Sequence, residues 1–198
     1  FFSVKVSKMM DGKNVYTIFA GGDDLFIIGS WDEVIELSKD IREEFMKFVS
    51  YSTLSISMGM VMFKHSKPIN FIANLSEEAL ENAKVLENKD AITLFGETVK
   101  WDDYLDDLGL IEELEKADVN TAFTYRLLDF ISMSKKVKYK TEDFKIGDTM
   151  WKSKLNYSFT RNMDKQHEAL LSTIDKMIEK YPEESKMKIS EFIYKRRD

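Results

Sequence analysis

Two short runs rich in Tyr, Ile and Phe lie near the start of the chain, Tyr16-Thr17-Ile18-Phe19-Ala20 and Leu25-Phe26-Ile27-Ile28. Between them stand Gly21-Gly22-Asp23-Asp24. The pattern predicts strands over 15–20 and 25–29 joined by a tight turn. Glycine takes positive φ without steric cost and lets a ligand come close to the backbone. Apolar Val34, Ile35, Leu37, Ile41, Phe45 and Phe48 then follow helical spacing, which predicts a helix running to about 49. Ser30 is placed to cap it, with Glu33 three residues on completing a capping box. Leu54 to Met62 alternates and reads as a strand. Pro68 marks a connection, and a helix over 69–87 carries Phe71, Ile72, Leu75, Leu80, Ala83 and Leu86. Asn88-Lys89-Asp90 is a turn. Ala91 to Phe95 is a strand ending at Gly96, and Val99-Lys100-Trp101 adds a short extended piece.

The order is strand–strand–helix–strand–helix–strand. One further strand and helix ahead of it complete a βαββαβ arrangement, so the fold class is α+β, an incomplete ferredoxin-like palm. After residue 102 the period changes to helical. Helices are predicted over 102–116, 118–134, 164–181 and 183–197, with Pro182 ending one and opening the next. Tyr125, Leu128 and Ser132 share one face of the second. The expected domains are 1–101, the palm, and 102–198, an α-helical domain.

Composition narrows the chemistry. The chain has 198 residues, 43% of them hydrophobic, and no cysteine. Disulfides and thiolate zinc sites are therefore excluded, and a reducing, cytoplasmic setting is the expectation. No apolar run reaches the length of a membrane span. His65 and His167 are the sole imidazoles and lie too far apart in sequence for a familiar zinc spacing. The net charge is −6, yet residues 135–161 hold eight Lys/Arg against Glu142, Asp143 and Asp148. That basic stretch, interleaved with Tyr139, Phe144, Trp151, Tyr157 and Phe159, is either a solvated surface or a contact for RNA backbone or an acidic subunit. Met58, Met60 and Met62 read as packing or interface residues.

The Gly21–Asp24 turn is the centre of candidate chemistry. Asp23 and Asp24 offer hard oxygen ligands of the kind Mg²⁺ takes alongside phosphate and water. Adjacent strand residues point to opposite sides, so both carboxylates reach one ion only where the turn bends the backbone. Gly21 and Gly22 allow that bend. The competing reading is an ordinary exposed hairpin turn, in which Gly and Asp are common. Neither a phosphate-binding P-loop nor a dinucleotide glycine motif is present.

The stretch from Tyr16 through Gly21-Gly22-Asp23-Asp24 to Ile28, Gly29 and Trp31 resembles the second palm domain of the large, polymerase-like subunit of type III CRISPR effector complexes, Csm-type branch. Ile56-Ser57-Met58-Gly59, Lys67-Pro68-Ile69, Leu80-Glu81-x-Ala83-Lys84 and Leu94-Phe95-Gly96 with Trp101 follow in the same order. Phe123-x-Tyr125-x-Leu127-Leu128 is similar to the family's C-terminal helical domain.

The resemblance implies Mg²⁺-dependent (or Mn²⁺-dependent) joining of ATP into cyclic oligoadenylate messengers when target RNA binds. Asp23 and Asp24 are then the catalytic metal ligands, and Gly21, Gly22, Ser57, Lys84 and Lys89 contact nucleotide. The implied partners are other CRISPR effector subunits, crRNA and target RNA. A further Asp-bearing strand expected ahead of Phe1 supplies another carboxylate, and many family members also carry an HD nuclease. Two rivals stand beside this reading. One is a diguanylate cyclase using GTP, whose usual Glu-Phe after the turn is here Asp24-Leu25. The other is a non-catalytic scaffold module of the RNA-guided complex.

Overall fold

The computed structural model describes residues 1–50, 53–64, 66–106, 109–163 and 167–197. They form an α+β chain of two compact units, Phe1–Ala91 and Ile92–Asp198. The units part ahead of the sequence-based division between 101 and 102.

In the first unit a π-helical turn, Phe2–Val6, leads into α1 (Ser7–Met9). There follow β1 (Val15–Gly21), β2 (Asp24–Gly29), α2 (Trp31–Phe48), β3 (Met58–Gly59) and α3 (Ile69–Val85). β1 and β2 are antiparallel, pairing Val15 with Gly29, Tyr16 with Ile28, Thr17 with Ile27, Phe19 with Phe26, Ala20 with Leu25 and Gly21 with Asp24. The register shifts between Thr17 and Phe19, so Ile18 is the extra residue of a β-bulge. Paired residues share a face of the sheet. On one face Val15, Leu25 and Ile27 pack against the fully buried Val6, Leu37 and Ile41. Burying each such aliphatic side chain stabilises the unit by roughly 1.5–3 kcal/mol. The opposite face carries Tyr16, Phe19, Phe26 and Ile28.

α2 starts at Ser30 as expected, but the capping box is not formed. Ser30 Oγ donates instead to Asp32 Oδ1 at 2.5 Å. Glu33 turns away to accept from the backbone N–H and the side-chain amide of Asn14, tying the helix to the start of β1. The strand expected over 54–62 is reduced to Met58–Gly59. A strand exists only where its N–H and C=O groups find a neighbour, and alternation alone does not supply one. α3 buries Ile72, Ala79 and Ala83, whereas Phe71 and Leu75, expected on its apolar face, are 47% and 36% exposed. Its small residues admit another backbone: a Cβ on Gly59 would lie 2.6 Å from the Ala79 carbonyl carbon.

The second unit opens with β4 (Ala91–Leu94, beginning at the boundary) and β5 (Glu97–Lys100). These two strands pair, so the extended piece expected at 99–101 is one arm of a hairpin. Then come α4 (Trp101–Leu105), α5 (Leu110–Lys116), α6 (Thr121–Tyr139), a 3₁₀ turn Ile146–Met150, α7 (Trp151–Asn162), α8 (Glu168–Lys180) and α9 (Pro182–Lys195). The single helix expected over 102–116 is thus two, and Gly109, at φ 73°, caps the second in a left-handed conformation no helix interior adopts. Residues 107–108 and 164–166, parts of two expected helices, lie outside the described residues. α6 begins later than expected because Asn120 caps it, its side chain accepting from Phe123 N–H at 2.8 Å. The buried face of α6 is Phe123, Leu127, Phe130 and Ile131. Tyr125 is 41% exposed and is not part of it.

α7 has no counterpart among the expected helices. Trp151, Leu155 and Phe159 recur every four residues and join Leu170, Ile174, Met177, Ile178, Ile189, Phe192 and Ile193 in one core. Much of the positive charge of 135–161 meets carboxylates of the same unit. Lys136 pairs with Asp143 at 2.6 Å and Lys152 with Glu179 at 2.8 Å. Lys135 and Lys186 both hold the buried Glu97. No helix among the described residues is long and apolar enough to cross a membrane.

Candidate functional site

The hairpin fixes where the two candidate carboxylates stand. Gly21 closes β1 and pairs with Asp24, the first residue of β2, so the turn proper is Gly22-Asp23. Gly22 has φ 62° and Asp23 does not share that sign. Positive φ at the first central position alone is the signature of a type II′ turn, which matches the twist of the flanking strands. The positive φ that the turn requires is supplied by Gly22. At Gly21 the tip of the Phe19 ring lies close by, 3.0 Å from where a Cβ would stand. Both carboxylates are exposed at the end of the hairpin.

Lys84 lies in the last turn of α3 and is brought into the field of this turn. Its ammonium donates to Glu81 Oε1 at 2.9 Å. The proton is held above the ordinary lysine range first by that hydrogen bond and then by the negative charges of Glu81, Asp24 and Asp23. Lys84 therefore stays cationic beside two anions it does not directly bond.

Ser57 and Lys89 are placed differently. Ser57 precedes β3, and its Oγ is buried with no hydrogen-bond partner. A buried hydroxyl left unpaired costs free energy, so this one calls for an explanation. Lys89 lies in the turn after α3, where Asn88, Lys89 and Asp90 all hold left-handed backbone at φ 60°, 51° and 50°. Asp90 is anchored to Arg42 of α2.

His65 lies outside the described residues, and His167 stands at the start of α8 in the other unit. Among the described residues no three His, Cys, Asp or Glu side chains converge on a common point.

Sequence reasoning passed over Phe19 and Glu81. Phe19 is a ring 54% exposed beside the turn. Alternation alone puts Phe19 on the face of Gly21 and its partner Asp24, and the bulge at Ile18 brings Tyr16 onto that face as well. Glu81 was legible, since Glu–Lys pairs three residues apart meet on a helix.

Residues 1–93 match the family model described as Cas10/Cmr2, second palm domain. Among curated proteins, the chain is 37% identical over 113 residues to a Methanocaldococcus jannaschii protein, covering 51% of this chain and 14% of that one. It is 36% identical over 107 residues to a Streptococcus thermophilus protein (53% and 14%), and 35% identical over 126 to one from Mycobacterium tuberculosis (58% and 15%). All three are named CRISPR system single-strand-specific deoxyribonuclease Cas10/Csm1, subtype III-A. The chain matches about one seventh of their length. The chain is thus similar to Cas10/Csm1 proteins of subtype III-A CRISPR systems, and its residues 1–93 match the Cas10/Cmr2 second palm domain.

Proposed function

We propose that the first unit is the ATP-polymerising palm of a type III CRISPR effector large subunit, making cyclic oligoadenylates when the guide-bearing complex meets target RNA. The observation that carries the reading is the Gly22-bent turn with exposed Asp23 and Asp24 and the Lys84 ammonium in their field, within residues matching a second palm domain. The ferredoxin-like topology, with a further strand completing the sheet, is part of the same proposal.

The donor chemistry of the turn fits Mg²⁺ or Mn²⁺. Two adjacent carboxylates are hard oxygen ligands, and Mg²⁺ is commonly held by one or two of them, with phosphate and water filling the remaining positions. Bound there, the ion supplies Lewis-acid neutralisation of charge at the reacting phosphate. Asp23 and Asp24 are the residues to hold it. Gly22, with no side chain, leaves the backbone at the bend open to a phosphate. Lys84 offers a fixed positive charge to the triphosphate in exchange for its contact with Glu81. Ser57 and Lys89 are proposed nucleotide contacts on the resemblance alone. Guide RNA, target RNA and sister subunits are the proposed partners. The single-strand deoxyribonuclease in the relatives' names is not assigned to this palm.

The test uses the full-length subunit assembled with its guide RNA. Asp23→Ala with Asp24→Ala is expected to abolish oligoadenylate formation from labelled ATP while assembly survives. Undiminished synthesis overturns the assignment, and product formed from GTP alone moves the reading to a diguanylate cyclase.

A further inference from the structure

Among the described residues, one face of the β1–β2 hairpin packs on helices, and the other keeps Tyr16 and Phe19 exposed with Phe26 and Ile28 half-buried. The covered face is Val15, Leu25 and Ile27 on Val6, Leu37 and Ile41, with Thr17 Oγ1 donating to Met10 Sδ at 3.4 Å. The other face carries Tyr16, 69% exposed, and Phe19, 54% exposed, with Phe26 paired directly across from Phe19. Scattered exposed apolar residues are ordinary on a protein surface. Phe19 differs in its position. It shares a face with Gly21 and Asp24, and its ring lies over Gly21, where a Cβ would come within 3.0 Å. An aromatic ring thus ends where the carboxylate begins.

That juxtaposition selects a class of ligand. The far end of the face carries the Asp24 carboxylate, with Asp23 next to it in the turn, and such hard oxygen ligands suit a polyanion with its cation. The near end presents an open π-surface. A molecule that meets both has an apolar planar ring joined through a short polar link to a phosphate chain, which describes a nucleoside triphosphate. Stacking on an aromatic side chain suits any base, because every base has a π-face. We infer that Phe19 is the platform on which the substrate's purine stacks, with the phosphates directed to the Asp23–Asp24 turn. Phe19 is then a binding residue of the substrate. The inference rests on the nucleotide reading of the turn and adds the place of the base.

The test is calorimetric titration of the full-length protein in Mg²⁺ with ATP and, separately, with inorganic tripolyphosphate, which has no base. Phe19→Ala and Phe19→Leu are expected to weaken ATP binding roughly tenfold and to leave tripolyphosphate unchanged; Phe19→Trp is expected to retain ATP. The leucine variant keeps apolar bulk on the face while removing the ring. Unchanged ATP affinity in both variants overturns the inference, and the turn reading stands if Asp23→Ala with Asp24→Ala still abolishes tripolyphosphate binding. Equal weakening of ATP and tripolyphosphate also overturns it, since Phe19 would then shape the turn rather than hold the base. Absence of binding of either ligand to the unmodified protein defeats both the inference and the reading beneath it.

Discussion

Arg42 and Asp90 face each other across 48 positions of sequence and meet at two points, Nε to Oδ1 at 3.0 Å and Nη2 to Oδ2 at 2.7 Å. The Arg42 side chain is only 10% exposed and that of Asp90 24%. A paired fork of this kind is stronger than a single-point contact, and leaving one partner unpaired in a semi-buried place is costly. The pair also holds the end of the left-handed run Asn88-Lys89-Asp90, each member of which costs about 1 kcal/mol or more in backbone strain. Arg42→Ala is expected to destabilise the first unit by about 2–3 kcal/mol, below the range for fully buried pairs because of the residual exposure. Asn88→Gly is expected to return about 0.5–1 kcal/mol by relieving strain. Urea unfolding of the single and double variants measures both; an Arg42→Ala loss under about 0.5 kcal/mol would show the pair to be a surface contact.

Gly59 makes a sharper demand. A Cβ there would stand 2.6 Å from the Ala79 carbonyl carbon and closer still to the Leu80 backbone nitrogen. Backbone atoms inside a helix cannot rotate aside as a side-chain tip does, so α3 as a whole must move. Gly59→Ala is expected to cost about 3 kcal/mol or more, at the upper end of overpacking effects. Gly147→Ala serves as control, since nothing lies within 4 Å of its added Cβ. Denaturation midpoints of the two variants give the comparison, and equal values would mean that β3 and α3 are not in close backbone contact.

Glu184 supplies a pH dependence with a definite sign. Its carboxyl is raised above the usual 4.5, first by burial and further by the neighbouring charges of Glu183 and Asp103, while its own backbone hydrogen bond and Lys138 oppose the shift. Its Oε2 is buried without a hydrogen-bond partner. The folded state therefore prefers the protonated acid. That preference is complete below about 4.5 and is lost as pH rises through the elevated folded value. Glu184→Gln, which is neutral at every pH, is expected to be more stable than the natural chain at pH 7, with the advantage shrinking toward pH 4. Thermal melts across that interval check it; an advantage independent of pH points to packing rather than charge.

The elements most legible in the sequence are those whose pattern is local. The hairpin, α2, α3 and α9 followed from turn residues, periodicity and Pro182, because each is specified by its own side chains. Elements decided by distant partners were missed. Glu33 had the spacing of a capping box, but Asn14 claimed its carboxylate. Leu54 to Met62 had the alternation of a strand, but pairing was found only at Met58–Gly59. α7 carried a readable signal in Trp151, Leu155 and Phe159, diluted by Lys152, Ser153, Lys154 and Asn156 between them. At the candidate site, Asp23, Asp24 and the bend were visible in four residues. The influence of Asp23 and Asp24 on Lys84 depends on how α3 packs, and the placing of Tyr16 on the face of Phe19 depends on a single inserted residue in β1, which no count of alternation reveals.

Lys84 carries the last expectation. Held by Glu81 at 2.9 Å on an exposed helix face, it gains little stability from that pair. Its removal should therefore leave the fold nearly unchanged, within about 0.5 kcal/mol, as for other surface changes. Its effect on nucleotide should be larger, because a fixed cation facing a triphosphate acts on a ligand that brings several negative charges. In the assembled subunit, Lys84→Ala is expected to raise KM for ATP roughly tenfold, the scale of one charge-assisted hydrogen bond, with a smaller change in kcat. Glu81→Gln, which frees the ammonium from its resting partner, should shift KM in the opposite direction. The two variants moving KM together, or Lys84→Ala changing neither constant, would return Lys84 to the role of a solvated helix residue.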